Sequence, residues 1–258
     1  MKILFVGDVV GQGACEALKG FLPGFKRGAG IDITIINGEN SADGNGISPL
    51  SAKLLFQAGA DLITTGNHCY KRADMDNAFN DNPVLLRPAN YGEHPPGKGI
   101  AIIDKGSYSV AVINLVGTTF MPVPIADNPF KCADEILCGL DTRNIIVDFH
   151  AEATAEKKAL GYYLAERVSA VVGTHTHVQT ADEQILAGHT AYITDVGMTG
   201  VDDSVIGVDK TAIIERFCTC YPKKHQTARG KFTINAVVIE IDQKTGKSTS
   251  INRINQEI

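Results

Sequence analysis

The chain of 258 residues contains no stretch of 18 consecutive apolar residues, which excludes a membrane-spanning helix. It also lacks any concentration of Lys and Arg. With a formal net charge of −5 and an isoelectric point near 5.8, a broad grip on a phosphate backbone is excluded. A small anionic ligand is not, because a cation or a helix N-terminus can supply local positive charge. The six cysteines show no paired CxxC spacing, which excludes a zinc ribbon, and a chain this long needs no disulfide staples. They read as reduced thiols of a cytoplasmic protein, with Cys218 and Cys220 as the one close pair. The opening "MKILFVGDVVGQG" has an apolar run too short for a signal peptide. No linker, low-complexity tract or fixed-period repeat interrupts the chain, so residues 1–258 read as one domain.

What is present is an ordinary globular balance of 44% hydrophobic and 21% charged residues, enough for a sizeable core. Short apolar runs at 2–7, 32–37, 60–66, 82–90, 99–103, 108–117, 143–150, 168–175, 190–197 and 232–241 read as strands. Segments 13–22, 48–58, 155–167 and 209–217 have helical patterning; in the third, Ala159, Leu160, Tyr163 and Leu164 mark the apolar face. The closing "FTINAVVIEIDQKTGKSTSINRI" reads as a hairpin with "KTGK" as its turn. Near-continuous apolar strands imply sheets covered on both faces. The expected fold is therefore a layered α/β sandwich of mixed β-sheets flanked by helices. Gly- and Pro-rich loops fall at 92–99 and 117–130, and the second is long enough for a lid.

The polar residues where strands stop carry the chemical signal. "ILFVGD" ends in Asp8, "ITIINGEN" in Glu39 and Asn40, "LITTGNH" in Asn67 and His68, "NIIVDFH" in His150, and "AVVGTHTH" in His175 and His177. Each motif alone is turn material. Together they put carboxylate, amide and imidazole at one topological location, where α/β sheets bind ligands. That donor set suits Mn²⁺, Fe²⁺, Zn²⁺ or Co²⁺ rather than iron–sulfur or Cu(I) sites. Without His68, the seven donors Asp8, Glu39, Asn40, Asn67, His150, His175 and His177 are too many for one ion and suit two. In an extended segment His175 and His177 would face the same way, one toward each ion, with Thr176 pointing away.

At these residues the chain resembles the calcineurin-like metallophosphoesterases, with "GDVV" at 7–10, "GEN" at 38–40, "GNHC" at 66–69, His150 in "DFHAE" and "GTHTH" at 173–177. It is most similar to the YmdB-like branch, to which "INGENSADGNGIS", "RPANY", "DFHAEATAEK" and "YITDVGMTG" also conform. Val10 stands where the superfamily places a histidine ligand, Glu39 where it places a bridging aspartate, and Cys69 where many members carry an acid beside the histidine. The resemblance implies Asp8, Glu39, Asn40 and His177 on one metal, and Glu39, Asn67, His150 and His175 on the other. It implies two divalent ions, iron or manganese first, with zinc and cobalt compatible.

On this reading a metal-activated hydroxide attacks phosphorus, and His68 donates a proton to the leaving oxygen as general acid. The implied reaction opens 2′,3′-cyclic nucleotides to 3′-phosphates. A nucleotide phosphomonoesterase and a low-turnover metal- or nucleotide-binding regulator are the alternatives. The implied partner is a small phosphodiester or nucleotide, with no membrane and no extended nucleic-acid surface; a homo-oligomer is compatible. Thr194, Gly197 and Thr199, in "TDVGMTG", are the expected substrate contacts, through backbone N–H groups that approach a phosphate.

Overall fold

The computed structural model describes residues 1–122, 126–222, 224 and 226–258. From the N-terminus come β1 (Lys2–Val6), β2 (Asp8–Val9), α1 (Gln12–Ala29), β3 (Ile33–Asn37), α2 (Pro49–Ala58), β4 (Leu62–Thr64) and α3 (Met75–Asp81). Next are β5 (Ile100–Asp104), β6 (Ser109–Val116), α4 (Pro129–Cys138), β7 (Ile145–His150), α5 (Thr154–Leu164), β8 (Ala170–Thr174), β9 (Gln184–Leu186) and β10 (Thr190–Ile193). The chain closes with β11 (Met198–Val201), α6 (Lys210–Thr219), β12 (Phe232–Ile241) and β13 (Ser248–Glu257).

Two mixed sheets result. One runs β2-β11-β12-β1-β3-β4, with β13 also on β12; the other runs β5-β6-β7-β8-β10-β9. Successive side chains of a strand point to opposite faces, and both faces are filled here. From β1, Ile3 and Phe5 meet Val112, Ile146 and Val172 of the other sheet in a central core. Leu4 and Val6 point outward to Leu18 and Leu22 of α1 and Leu55 of α2. On the far side, Ile113, Val147 and Phe149 meet Leu160 and Leu164 of α5. The result is the α/β sandwich of two mixed sheets with helices outside that the apolar runs imply. None of the described helices is long and apolar enough to cross a membrane, and all six cysteines are free.

Four sequence readings are corrected. Residues 82–90 form no strand: Leu85 and Leu86 make only isolated bridges, and Ala89–Tyr91 turns as a 3₁₀ helix. Pro83 and Pro88 have no N–H to offer a ladder, which limits pairing there. Helix α1 does not stop at residue 22. It passes through Pro23 to Ala29, where Gly30 closes it in the left-handed conformation, and the Phe21–Phe25 ring stack at 5.3 Å spans the proline. In α5 the buried face is Lys157, Leu160, Gly161 and Leu164; Ala159 and Tyr163 are exposed. Last, β8 ends at Thr174, and His175 (φ 99°) and His177 (φ 66°) lie in a bend with positive φ instead of continuing the strand. The short strands β2, β9 and β11 and the helices α3 and α4 have no counterpart among the elements that the sequence predicts. In the 117–130 loop, residues 123–125 lie outside the described residues.

Candidate active site

The donor residues converge where β1, β3 and β4 of one sheet and β7 and β8 of the other end. Asp8 starts β2 after Gly7, whose missing side chain lets the backbones meet: a Cβ there would lie 1.9 Å from the Gly197 carbonyl oxygen. Glu39 and Asn40 follow β3, and Asn67 and His68 follow β4. Gly66 is required for a different reason: a Cβ at that position would sit 2.2 Å from the ring of His150, the last residue of β7.

Side-chain contacts connect the whole set. His150 Nε2 lies 3.1 Å from Asn67 Oδ1, 3.1 Å from His175 Nδ1 and 3.7 Å from Glu39 Oε1. The backbone N–H of His175 donates to Asp8 Oδ2 at 3.0 Å. His177 Nε2 lies 3.2 Å from the Asn40 amide nitrogen, and the Asn40 carbonyl oxygen lies 3.1 Å from His68 Nδ1. Both histidines of the bend therefore reach the cluster without an extended backbone, and Thr176 turns away to donate its hydroxyl to Asp195 at 2.7 Å. Two adjacent-but-one residues held at positive φ cost of order 1–3 kcal/mol each, strain typical of functional sites.

Burial governs the electrostatics. Asp8 and Glu39 are fully buried. Burial raises the Asp8 carboxyl well above its ordinary range, helped by the Asp195 charge, and raises Glu39 against the opposing pull of His68. The imidazoles move the other way: burial lowers His150 well below its ordinary value, lowers His175 to about 4 and lowers His177. The three rings are thus neutral and able to donate lone pairs at neutral pH. Asp8 Oδ1 and Glu39 Oε2 are buried with no hydrogen-bond partner. Such groups are costly unless something else satisfies them.

These features fit divalent cations. Two buried carboxylates with open oxygens lie among neutral imidazoles and amide oxygens, without a thiolate. Among the described residues no three histidine, cysteine or carboxylate side chains alone form an ion cage. The amide oxygens of Asn40 and Asn67 stand beside them, 3.1 Å from His68 Nδ1 and 3.1 Å from His150 Nε2. His68 is different in kind. Its backbone N–H donates to Glu39 Oε1 at 2.6 Å, and its Nδ1 lies 3.1 Å from the same oxygen. Glu39 is therefore the acidic neighbour that the buried Cys69 does not supply.

Behind the donors lies a set of residues that strand-end reading does not single out. Thr174 donates to Asp148 Oδ1 at 2.8 Å and lies 3.0 Å from His150 Nδ1, so its oxygen is placed to accept from that nitrogen in the tautomer that frees Nε2. Asn37 donates to Asp148 at 2.9 Å and accepts from Glu39 N–H. Asp148 could have been found, since it alternates with His150 on one strand. Lys157, buried against Asp195 at 2.7 Å, had no signal beyond its place on an amphipathic helix. In the 194–199 segment the three residues expected to contact substrate bond within the protein. The Thr194 hydroxyl bonds to Asp182 and Tyr192, and Thr199 bonds to the Asn235 backbone. Gly197 donates to Asp195 and supports Gly7.

The model of YmdB-like proteins matches residues 4–254. A 2′,3′-cyclic-nucleotide 2′-phosphodiesterase of Bacillus subtilis is 50% identical over 98% of this chain and 96% of its own. Among solved structures, a hypothetical protein from Thermus thermophilus superposes with a TM-score of 0.93 at 37% identity, covering 100% of this chain and 99% of that one. A novel phosphatase from Mycoplasma pneumoniae gives 0.93 at 34% identity, covering 100% and 93%.

Proposed function

The chain belongs to the YmdB-like family, and from that membership and the strand-end cluster we propose a dinuclear metal-dependent phosphodiesterase that opens 2′,3′-cyclic nucleotides to 3′-phosphates. One observation carries the reading: Asp8 and Glu39, fully buried, each keep an oxygen without a hydrogen-bond partner, and His150 lies 3.6 Å from Asp8 and 3.7 Å from Glu39. Glu39, Asn67, His150 and His175 would hold one ion, and Asp8, Glu39, Asn40 and His177 the other. Iron or manganese suits these donors first, with zinc and cobalt also compatible. Bound there, divalent ions supply Lewis acidity that acidifies a water and offsets charge on the phosphoryl oxygens.

The chain's own groups do the rest. Thr174, which donates to Asp148, is placed to accept from His150 Nδ1, in the tautomer that presents Nε2 to the cluster. His68 Nδ1 faces two acceptors, Glu39 Oε1 and Asn40 Oδ1, leaving Nε2 to hand a proton to the 2′-oxygen as the P–O2′ bond breaks. The substrate is a small diester, since the acidic chain offers no basic tract for a polymer.

The test is turnover of 2′,3′-cyclic AMP by EDTA-treated protein before and after Mn²⁺ or Fe²⁺ is restored. Metal-dependent release of 3′-AMP supports the proposal; tight metal binding without turnover would establish the regulator instead, and faster release of phosphate from 3′-AMP the monoesterase. His68→Ala should keep its metal yet lose about 10²–10⁴-fold in kcat on the cyclic nucleotide. The loss should shrink on bis-p-nitrophenyl phosphate, whose leaving group needs no proton. Equal losses on both would deny His68 its role as acid.

A further inference from the structure

We propose that the cavity beside His68 binds the nucleoside of the substrate, with the Tyr91 ring as the stacking platform for its base; this deepens the reading above and rests on it. The cavity has a volume of about 690 Å³, ample for a nucleotide. Asn67 and His68 form the wall it shares with the donor cluster, and Tyr70, Lys71, Tyr91 and His94 line the remainder with three prolines and the exposed carboxylate of Asp76. A phosphate placed at His68 has this cavity beside it for its sugar and base.

Tyr91 has the features of a platform. It is partly buried against the outer core while lining the cavity, and its hydroxyl oxygen is buried without a partner. A tyrosine that only packs normally satisfies that hydroxyl, as Tyr70 beside it does by donating to the Pro96 carbonyl at 2.5 Å. The two rings lie 6.4 Å apart.

The backbone that carries Tyr91 is pinned from both sides. Arg87, buried, donates to the carbonyls of Pro88, Ala89 and Gly92 at 2.8, 3.2 and 2.7 Å. Asn90 donates to the Val116 and Asp127 carbonyls at 2.8 and 2.9 Å and accepts from the Val116 N–H at 2.9 Å. Six side-chain bonds thus fix a three-residue turn, which accounts for "RPANY" as the mount of a binding surface. Exposed Lys71 adds positive charge at the rim, suited to an anionic ligand.

The readout is the ratio of kcat/KM for 2′,3′-cyclic AMP to that for bis-p-nitrophenyl phosphate, which has no nucleoside. Binding of 3′-AMP relative to inorganic phosphate, by calorimetry on the manganese-loaded protein, is the second measure. Tyr91→Ala should lower both ratios by roughly tenfold or more, the scale of one stacked base. Tyr91→Phe, which keeps the ring, should cost only a few-fold. Lys71→Glu, at an exposed position where folding is not at stake, should raise KM for the cyclic nucleotide. Ratios unchanged in Tyr91→Ala and a KM unmoved by Lys71→Glu would overturn the proposal. If wild-type protein cleaves the synthetic diester but not the cyclic nucleotide, the functional reading fails, and the 3′-AMP binding ratio still decides the pocket. If Tyr91→Ala does not fold, Tyr91→Phe and Lys71→Glu decide it.

Discussion

Three buried carboxylates near the strand ends behave in two opposite ways. Asp195 accepts from Lys157 Nζ at 2.7 Å, Thr176 N–H and hydroxyl at 3.0 and 2.7 Å, and Gly197 N–H at 2.8 Å, so both oxygens are satisfied by the protein. Asp8 accepts one bond, from His175 N–H, and keeps Oδ1 open; Glu39 keeps Oε2 open. All three are fully buried. Burial alone therefore does not mark a site. Among these three carboxylates, the completed shell belongs to Asp195, which the protein alone satisfies, and the incomplete ones to the two that the proposed site would use.

The sharpest way to break this contrast is Glu39→Gln. The neutral amide fills the same space but removes the oxygen charge that both ions would share. Activity should fall about 10³-fold or more, since metal-borne stabilisation is worth several kcal/mol. Metal content measured by mass spectrometry should fall with it. Near-normal turnover with full metal content would show that the open oxygen of Glu39 is incidental.

Asp195→Asn should do the converse. It leaves Lys157 buried without its partner, and removing one member of a buried pair costs about 3–5 kcal/mol. Denaturant unfolding should show the loss with metal either present or absent. A variant that keeps its stability but loses metal would move Asp195 from scaffold to site.

The sequence made the open shell easier to read than the complete one. Asp8, Glu39, Asn67, His150 and His175 stand where apolar runs stop, and that position depends only on local patterning. The two-layer packing was legible for the same reason, because Leu4 and Phe5 are both apolar and must both be covered. Lys157 lies outside the apolar face expected for its helix, and only tertiary packing brings it to Asp195, which is 38 positions away. The bend at 175–177 was read as extended because alternation is the simplest geometry that turns two side chains the same way. Positive φ at both histidines achieves that by another route. Tyr91 gave no periodic signal, since its turn is set by hydrogen bonds from Arg87 and Asn90.

A smaller effect should come from the junction of the two shells. Thr174 links Asp148, in the completed network, to His150, in the open one. Thr174→Val keeps the shape and removes the hydroxyl placed to accept from His150 Nδ1. Metal affinity should fall about 10–100-fold, the usual scale for groups that orient a ligand. Titration with Mn²⁺ gives the number, and an unchanged Kd would mean that packing alone orients the ring.

The smallest effect is in the pH dependence of stability, and its sign follows from the open shell. Without metal, Asp8 and Glu39 titrate above their ordinary values of 3.8 and 4.5. Between those values and the raised folded ones, the unfolded chain ionises while the folded chain stays protonated, so stability falls as pH rises. His175, lowered to about 4, acts in the other direction: the unfolded ring gains a proton below its ordinary 6.5, so that contribution is lost as pH falls from 6.5 toward 4. Metal reverses the carboxylate term, because binding holds Asp8 and Glu39 ionised and the imidazoles neutral. Their contribution is then present at high pH and lost as pH falls. The gain in Tm on adding Mn²⁺ to EDTA-treated protein should therefore widen steadily from about pH 5 to about pH 8. In Glu39→Gln, which has one fewer titrating donor, the widening should be smaller. A gain that stays flat across that range in the wild type would mean that the ion binds away from these two carboxylates.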